Sequence, residues 1–244
     1  MRIAYLDCFS GISGDMLLGA LLHAGVDEVH WREGLRGLGL EEFGISVTQV
    51  SCSGIAGVQV DVIATTPQEG HGRHLSDIAQ ILHASTLPAT VQSRALAVFT
   101  RLAEAEARIH SSTPEDIHFH EVGAVDALVD IAGACLGLEM LGIERVYVSP
   151  LPYSRGWVKC MHGSIPTPAP ATLALLTGFA WRLDARPVEL VTPTGAALAA
   201  EWAERTLEGD AAPLPAMTLR ATGYGAGQRK TERPNMLRLC VGDL

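Results

Sequence analysis

The sequence predicts a mixed α/β or α+β fold, with compact helices packed on a mixed sheet and a small β-hairpin region. Three observations carry that expectation. Apolar residues make up 48% of the 244 positions and charged residues 18%, a balance that fills a core and is unlike a disordered chain. The opening segment alternates in strand fashion, breaks at glycines and turns helical. A nearly uninterrupted apolar run over residues 122–141 is long enough for a helix and must be buried.

The elements follow in order. Residues 2–6 read as a short strand, and Gly11 and Gly14 mark a tight turn into the helical DMLLGALLHAG, ending near Gly25. A second amphipathic stretch, HWREGLRGLGL, precedes FGISVTQVSCSGIAGVQVDVIATT, whose β-branched alternation and glycine pairs predict a two-stranded hairpin. Ser76 is the expected N-cap of DIAQILHAS, and residues 90–108 have helical periodicity with good helix formers. After the long apolar helix, VYVSPLPYS returns as a strand leading into a loop, CMHGSIPTPAPATLALL, with Pro170 near a helix start. A further loop-to-helix junction, ELVTPTGAALAAEWAERT, is followed by the glycine-rich GYGAGQRKTERPNMLRLCVGDL. One compact unit spanning residues 1–244 is expected, with no repeat and no low-complexity linker.

A formal charge of -9 disfavours a nucleic-acid partner, since phosphate binding needs a clustered basic face. Five widely spaced cysteines with no CxxC pair read as reduced thiols. No window reaches the roughly 18–20 apolar residues of a membrane span, and Asp7 falls where a signal peptide would need its apolar stretch, so the expectation is a cytoplasmic protein with no membrane partner.

Three junctions share one design. SGISGDM, PTPAPATLALL and VTPTGAALAA each place small or hydroxyl residues where a helix begins, so unpaired N–H groups and the positive dipole end suit an anion. Ordinary capping is the competing explanation for any one of them. Ser10, Gly11, Ser13 and Gly14 in the first, and Thr192, Thr194 and Gly195 in the last, are the candidate ligand-holding residues. Asp7 and Asp15 flank the first turn, so both carboxylates are candidates to face one site beside a strand end. Neither a GK[ST] ending nor GxGxxG is present.

The stretch HFHEVGAVDALVDI is the richest in titratable groups. Strand-like alternation puts His118 and His120 on one face with Phe119 in the core, and helical spacing puts Asp126 and Asp130 one turn apart. Imidazole nitrogens beside the carboxylate of Glu121 suit Ni²⁺, Zn²⁺ or Fe²⁺; alternatively the histidines are general bases and Asp126 orients them. Burying such groups without a partner is costly, which favours a functional reading. His71 and His74 in HGRH form a looser metal-collecting pair, and His162 precedes another helix and is a candidate to join either site. His23, His30, His83 and His110 carry no such context. Arg233 and Arg238, with GYGAGQRK, form the one basic cluster of the sequence.

Taken together, YLDCFSGISGDMLLGALL, RHLSDI, HFHEVGAVDALVDI, HGSIPTPAPATL, LVTPTGAAL and GYGAGQRKTERPNMLR resemble, in this order, the LarC family of nickel insertion proteins. The resemblance spans residues 5–239. It implies insertion of nickel into pyridinium-3,5-bisthiocarboxylic acid mononucleotide, with Ni–C and Ni–S bonds formed at the expense of CTP, to mature the nickel-pincer cofactor of lactate racemase. That is lyase chemistry of the metal chelatase, or cyclometallase, type. Joined to the residues above, the expectation is that His118, His120 and Glu121 deliver Ni²⁺, with His71, His74 and His162 as further metal candidates. SGISGDM and VTPTG are expected to hold the mononucleotide, and Asp7 or Asp15 to assist proton removal at the pyridinium carbon, with Glu121 and Asp126 as further catalytic candidates. Family members continue into a CTP-binding C-terminal domain with Mg²⁺ or Mn²⁺, which is the expected partner of this N-terminal half; homo-oligomerisation stays open. They also carry a longer histidine run before RHLSDI. A metal-dependent hydrolase or phosphatase, and a non-catalytic nickel carrier, are the alternatives.

Overall fold

The structure, a computed structural model, describes residues 1–40, 43–64, 72–119, 124–161 and 163–244. It is a mixed α/β molecule built on a six-stranded sheet. Strand β1 (Arg2–Asp7) lies between β10 (Met236–Asp243), antiparallel, and β4 (Arg145–Val148), parallel. Beyond β10 come β9 (Thr218–Ala226) and then the hairpin of β3 (Ile55–Ala64) and β2 (Phe43–Cys52), giving the order β2-β3-β9-β10-β1-β4. The two ends of the chain thus sit side by side at the sheet centre, and Leu244 N–H donates to the Met1 carbonyl at 3.1 Å.

Helix α1 (Gly14–His23) lies across β9, β3 and β10. Its approach is unusually close. A Cβ on Gly225 would stand 1.7 Å from the Met16 carbonyl oxygen, and one on Gly223 1.9 Å from that of Ala20. The GYGAG segment, to which its glycine-rich composition assigned no element, is therefore a central strand whose Gly223 and Gly225 admit a helix backbone; glycine weakens a strand unless close approach requires it. The intervening Tyr224, its register partner Arg238 and Arg238's partner Asp7 project from the opposite face.

Behind α1 stands α5 (Val125–Met140), with twelve buried residues, flanked by α2 (Glu28–Arg36) and α4 (Ala89–His110). Trp31 of α2 donates its indole N–H to the Gly133 carbonyl at 2.8 Å, satisfying the polar tip of a fully enclosed ring. Helices α3 (Leu75–Ala84), α6 (Pro170–Leu175) and α7 (Pro193–Trp202) complete the layer against α4. One continuous cluster of buried residues joins sheet and helices.

Two other local expectations are corrected. Helix α3 begins at Leu75 rather than after Ser76: the Asp77 carboxylate accepts the His74 N–H at 2.8 Å, and a charged acceptor at that point outcompetes a hydroxyl. The segment expected as a loop around residue 160 is an antiparallel hairpin, β6 (Gly156–Cys160) with β7 (Gly163–Thr167), and β5 (Leu151–Ser154) pairs in parallel with an unexpected β8 (Trp181–Asp184). All five cysteines are free thiols. Among the described residues no helix is long and apolar enough to cross a membrane.

Candidate functional site

The first and last of the three helix-start motifs meet. Ile12 N–H donates to the Leu190 carbonyl at 2.9 Å and Thr192 N–H to the Ile12 carbonyl at 3.1 Å, so the turns entering α1 and α7 are zipped together. Close approach requires glycine on both sides: a Cβ on Gly11, at φ +105°, would stand 1.8 Å from the Leu190 oxygen, and one on Gly195 2.4 Å from the Ile12 oxygen. Ser13 caps α1 positionally, its hydroxyl bonded to Asp15, and the Thr192 hydroxyl accepts Gly195 N–H at 3.1 Å. Two helix N-termini, each a positive dipole end, therefore lie side by side.

They open onto a cavity of about 300 Å³ lined by Ser13, Gly14, Asp15, Thr192 and Thr194, with Asp126 and Asp130 of α5 beneath and Gly227, Gln228, Arg229 and Asn235 across from them. Such a volume lies at the small end of ligand pockets. The carboxylates are the unusual component. Burial raises the Asp15 carboxyl above its ordinary range, with the Ser13 hydroxyl and the Met16 N–H pulling it back and Asp61 adding repulsion. Asp130 is raised further, by burial first and then by the charges of Asp15 and Asp126. Its Oδ1 is enclosed and has no hydrogen-bond partner among the described residues. Asp126 is exposed and accepts the Ala127 N–H at 2.9 Å. Asp130 is the residue that sequence reasoning passed over as a site candidate; its one-turn offset from Asp126 was the available signal.

A second cavity, of about 550 Å³, adjoins the first. Glu189 lines both, and Pro193 faces the larger while Thr192 and Thr194 face the smaller. His118 lines the larger cavity with His110, Glu106, Asp116 and Cys160. Phe119 is buried, edge-on to Phe99 of α4, and its N–H donates to the Arg73 carbonyl at 3.0 Å. That pairing carries His74 onto His118, ring centroids 3.8 Å apart. The His74 Nδ1 lies 3.1 Å from the Ile117 carbonyl. A carbonyl only accepts, so this contact is a hydrogen bond in the tautomer with the proton on Nδ1, the one that leaves Nε2 for a metal. His71, His120, Glu121 and His162 lie outside the described residues. Among the described residues no group of three or more His, Cys, Asp or Glu side chains is placed to hold a metal ion.

Other expected site residues fall elsewhere. Asp7 and Asp15 are not brought together. Asp7 stands on the sheet face away from α1 and accepts two bonds from Arg238, one of them at 2.9 Å, and it lines neither cavity. Tyr224 and Asp7 together hold the Arg238 guanidinium protonated, its pKa pushed up. Ser10 is buried and occupied: its hydroxyl donates to the Pro234 carbonyl at 2.5 Å and accepts from Arg186 at 2.8 Å. Arg186 in turn holds the buried Asp184, lowered to about 2 chiefly by that contact. Ser10 and Gly11 thus fix the turn from beneath, while Ser13 and Gly14 face the cavity.

Comparison with known proteins accords with this frame. The pyridinium-3,5-bisthiocarboxylic acid mononucleotide nickel insertion protein of Desulfitobacterium hafniense strain DSM 10664 / DCB-2 is 50% identical over 245 residues, covering 100% of this chain and 59% of that protein. Its counterpart of the same name in strain Y51 is 49% identical with the same coverage. A protein of Roseiflexus castenholzii is 48% identical, covering 99% of this chain and 60% of its own length. The chain thus spans about three fifths of these relatives. No solved structure matches it. The nickel insertion protein family matches residues 4–243, and the chain belongs to that family.

Proposed function

We propose that this chain carries the nickel-inserting site for pyridinium-3,5-bisthiocarboxylic acid mononucleotide. The observation that supports it best is the pair of zipped helix N-termini at the mouth of a carboxylate-floored cavity that adjoins the His118 cavity through Glu189. The ligand is a cationic ring joined to a phosphate. The phosphate suits the α1 and α7 amides and Arg229; the pyridinium ring suits the carboxylates below. His118, which lines the larger cavity, delivers Ni²⁺ together with His74 stacked on it, and His120, Glu121, His71 and His162 are the further metal candidates of the sequence. Positioning of this kind is the main contribution a protein makes when it joins two bound reactants.

The reaction is a metal chelatase, or cyclometallase, step of the lyase class. A proton must leave the pyridinium carbon as nickel is bound, a task for the carboxylates of the smaller cavity, Asp15 among them; Asp7, held by Arg238, serves the sheet. CTP with Mg²⁺ or Mn²⁺ acts with the family's C-terminal part, residues 1–244 forming one N-terminal unit, and the product goes to lactate racemase or a similar enzyme in the cytoplasm. Calorimetry of the chain with Ni²⁺, with and without the mononucleotide, tests the reading. Binding of both, each tightening the other, is expected; nickel binding with no affinity for the mononucleotide would leave a carrier instead, and cleavage of generic phosphoesters a hydrolase.

A further inference from the structure

We propose that Asp130 is the proton acceptor for formation of the nickel–carbon bond, with Asp15 and Asp126 as the flanking carboxylates that tune it. This rests on the nickel-insertion reading above and goes beyond it by assigning the base. Three independent features of the structure carry it. Asp130 lines the smaller cavity from the second turn of α5, and its enclosed Oδ1 has no hydrogen-bond partner among the described residues. A carboxylate that only served the fold would have its lone pairs occupied; an unpaired one is costly and marks a group held for a ligand. Second, α1 is shaped around it: a Cβ on Gly14 would stand 2.3 Å from Asp130 Oδ2, so only glycine at the first residue of α1 lets the carboxylate reach the cavity beside the helix amides. Third, the groups facing it are almost all of one sign. Asp15 of α1 and Asp126 of its own helix repel its charge, Asp61 of β3 acts on Asp15, and Glu189 and Arg229 complete the wall as a pair at 3.6 Å.

The step balances. Ni²⁺ approaches the pyridinium carbon; the C–H electron pair becomes the Ni–C bond; the proton passes to the Asp130 carboxylate; nickel stays divalent and no oxidant or reductant is needed. The bound Ni²⁺ and the cationic ring favour the ionised carboxylate at the start. Uptake of the proton then relieves repulsion within the cluster, which makes this position a stronger base than a solvated aspartate.

The test compares the wild-type chain with Asp130→Asn and Asp130→Glu. Each is supplied with Ni²⁺, CTP, the mononucleotide and the family's CTP-binding part in trans. Nickel–carbon product is followed by mass spectrometry across pH, and mononucleotide binding by calorimetry. Asp130→Asn is expected to bind the mononucleotide within about threefold of wild type and to form product about 100-fold or more slower, the usual worth of a positioned base. It is also expected to lose the rising limb of the pH profile. Asp130→Glu should recover part of the rate with that limb restored. An Asn variant that forms product at the wild-type rate with an unchanged pH profile overturns the assignment while leaving nickel insertion standing. A wild-type chain that neither binds the mononucleotide nor forms product overturns the functional reading and this inference with it.

Discussion

Single side chains in this molecule are most informative where their charge is buried. Asp184 and Asp130 are opposite cases. Asp184 is held by Arg186 and lowered to about 2, so it contributes stability that is complete above the ordinary aspartate value and is lost as pH falls from about 4 through about 2. Arg186→Met removes the closer of two arginine partners, leaving Arg182 at 3.8 Å from the buried carboxylate, and frees the Ser10 hydroxyl from its donor. A loss of about 2 kcal/mol in urea unfolding at pH 7 is expected, because the hydrogen bonds to the carboxylate are lost while Arg182 still faces its charge. Asp130 is raised, so the native state keeps a proton that the unfolded chain has released, and stability falls as pH rises above about 4 through the raised value. Asp130→Asn should therefore melt higher than wild type at pH 8, with the difference closing by pH 4. A constant difference in melting temperature across that range would show that the effect is packing rather than charge. The identities of Asp126 and Asp130 and their shared helix face were legible in the sequence; that Asp130 is the one enclosed beneath α1 was not, because burial depends on a helix more than a hundred residues away in the chain.

At the scale of elements, two backbone approaches decide the site. Gly225→Ala would drive a methyl group into the Met16 carbonyl, and α1 has no slack between β9 and α5 to take it up. The expected cost is about 3 kcal/mol or more, above the ordinary range for overpacking, read as a lower urea midpoint. Thr192→Ala removes the hydroxyl that accepts Gly195 N–H at the start of α7. A loss of about 1 kcal/mol in stability is expected from the missing cap. Calorimetry should also show weaker mononucleotide binding, since the freed amide no longer has a fixed direction; unchanged affinity would place the phosphate away from α7. The helices and the β2–β3 hairpin were readable from periodicity and turn residues. Strands β6 to β10 were not: proline and glycine dominate the loop signal there, and the close helix contact that requires those glycines is a tertiary fact.

For the whole molecule, two adjoining cavities make the proposed nickel capture separable from the fold. Replacing His118 and His120 together with alanine is expected to abolish the tightest Ni²⁺ site while the circular dichroism spectrum and melting temperature stay close to wild type, because metal-coordinating imidazoles are seldom the main source of a large domain's stability. Unchanged nickel stoichiometry in that variant would remove the histidines from the metal path. The purified chain by itself is expected to release no CMP from CTP, since its sequence carries no nucleotide-triphosphate fingerprint; CMP release that survives stringent purification would contradict this. By itself the sequence determined the α/β class, the helix-start motifs and the ordered set of motifs that marks the family, because these are written in local spacing of small, apolar and charged residues. Only the tertiary structure decided that Asp7 and Asp15 stand apart, that the α1 and α7 turns are one surface, and that Asp130 lies enclosed under Gly14. The physical reason is common to all three: sheet order and backbone-to-backbone approach are set by which distant segments pack together, and no local window of residues contains that information.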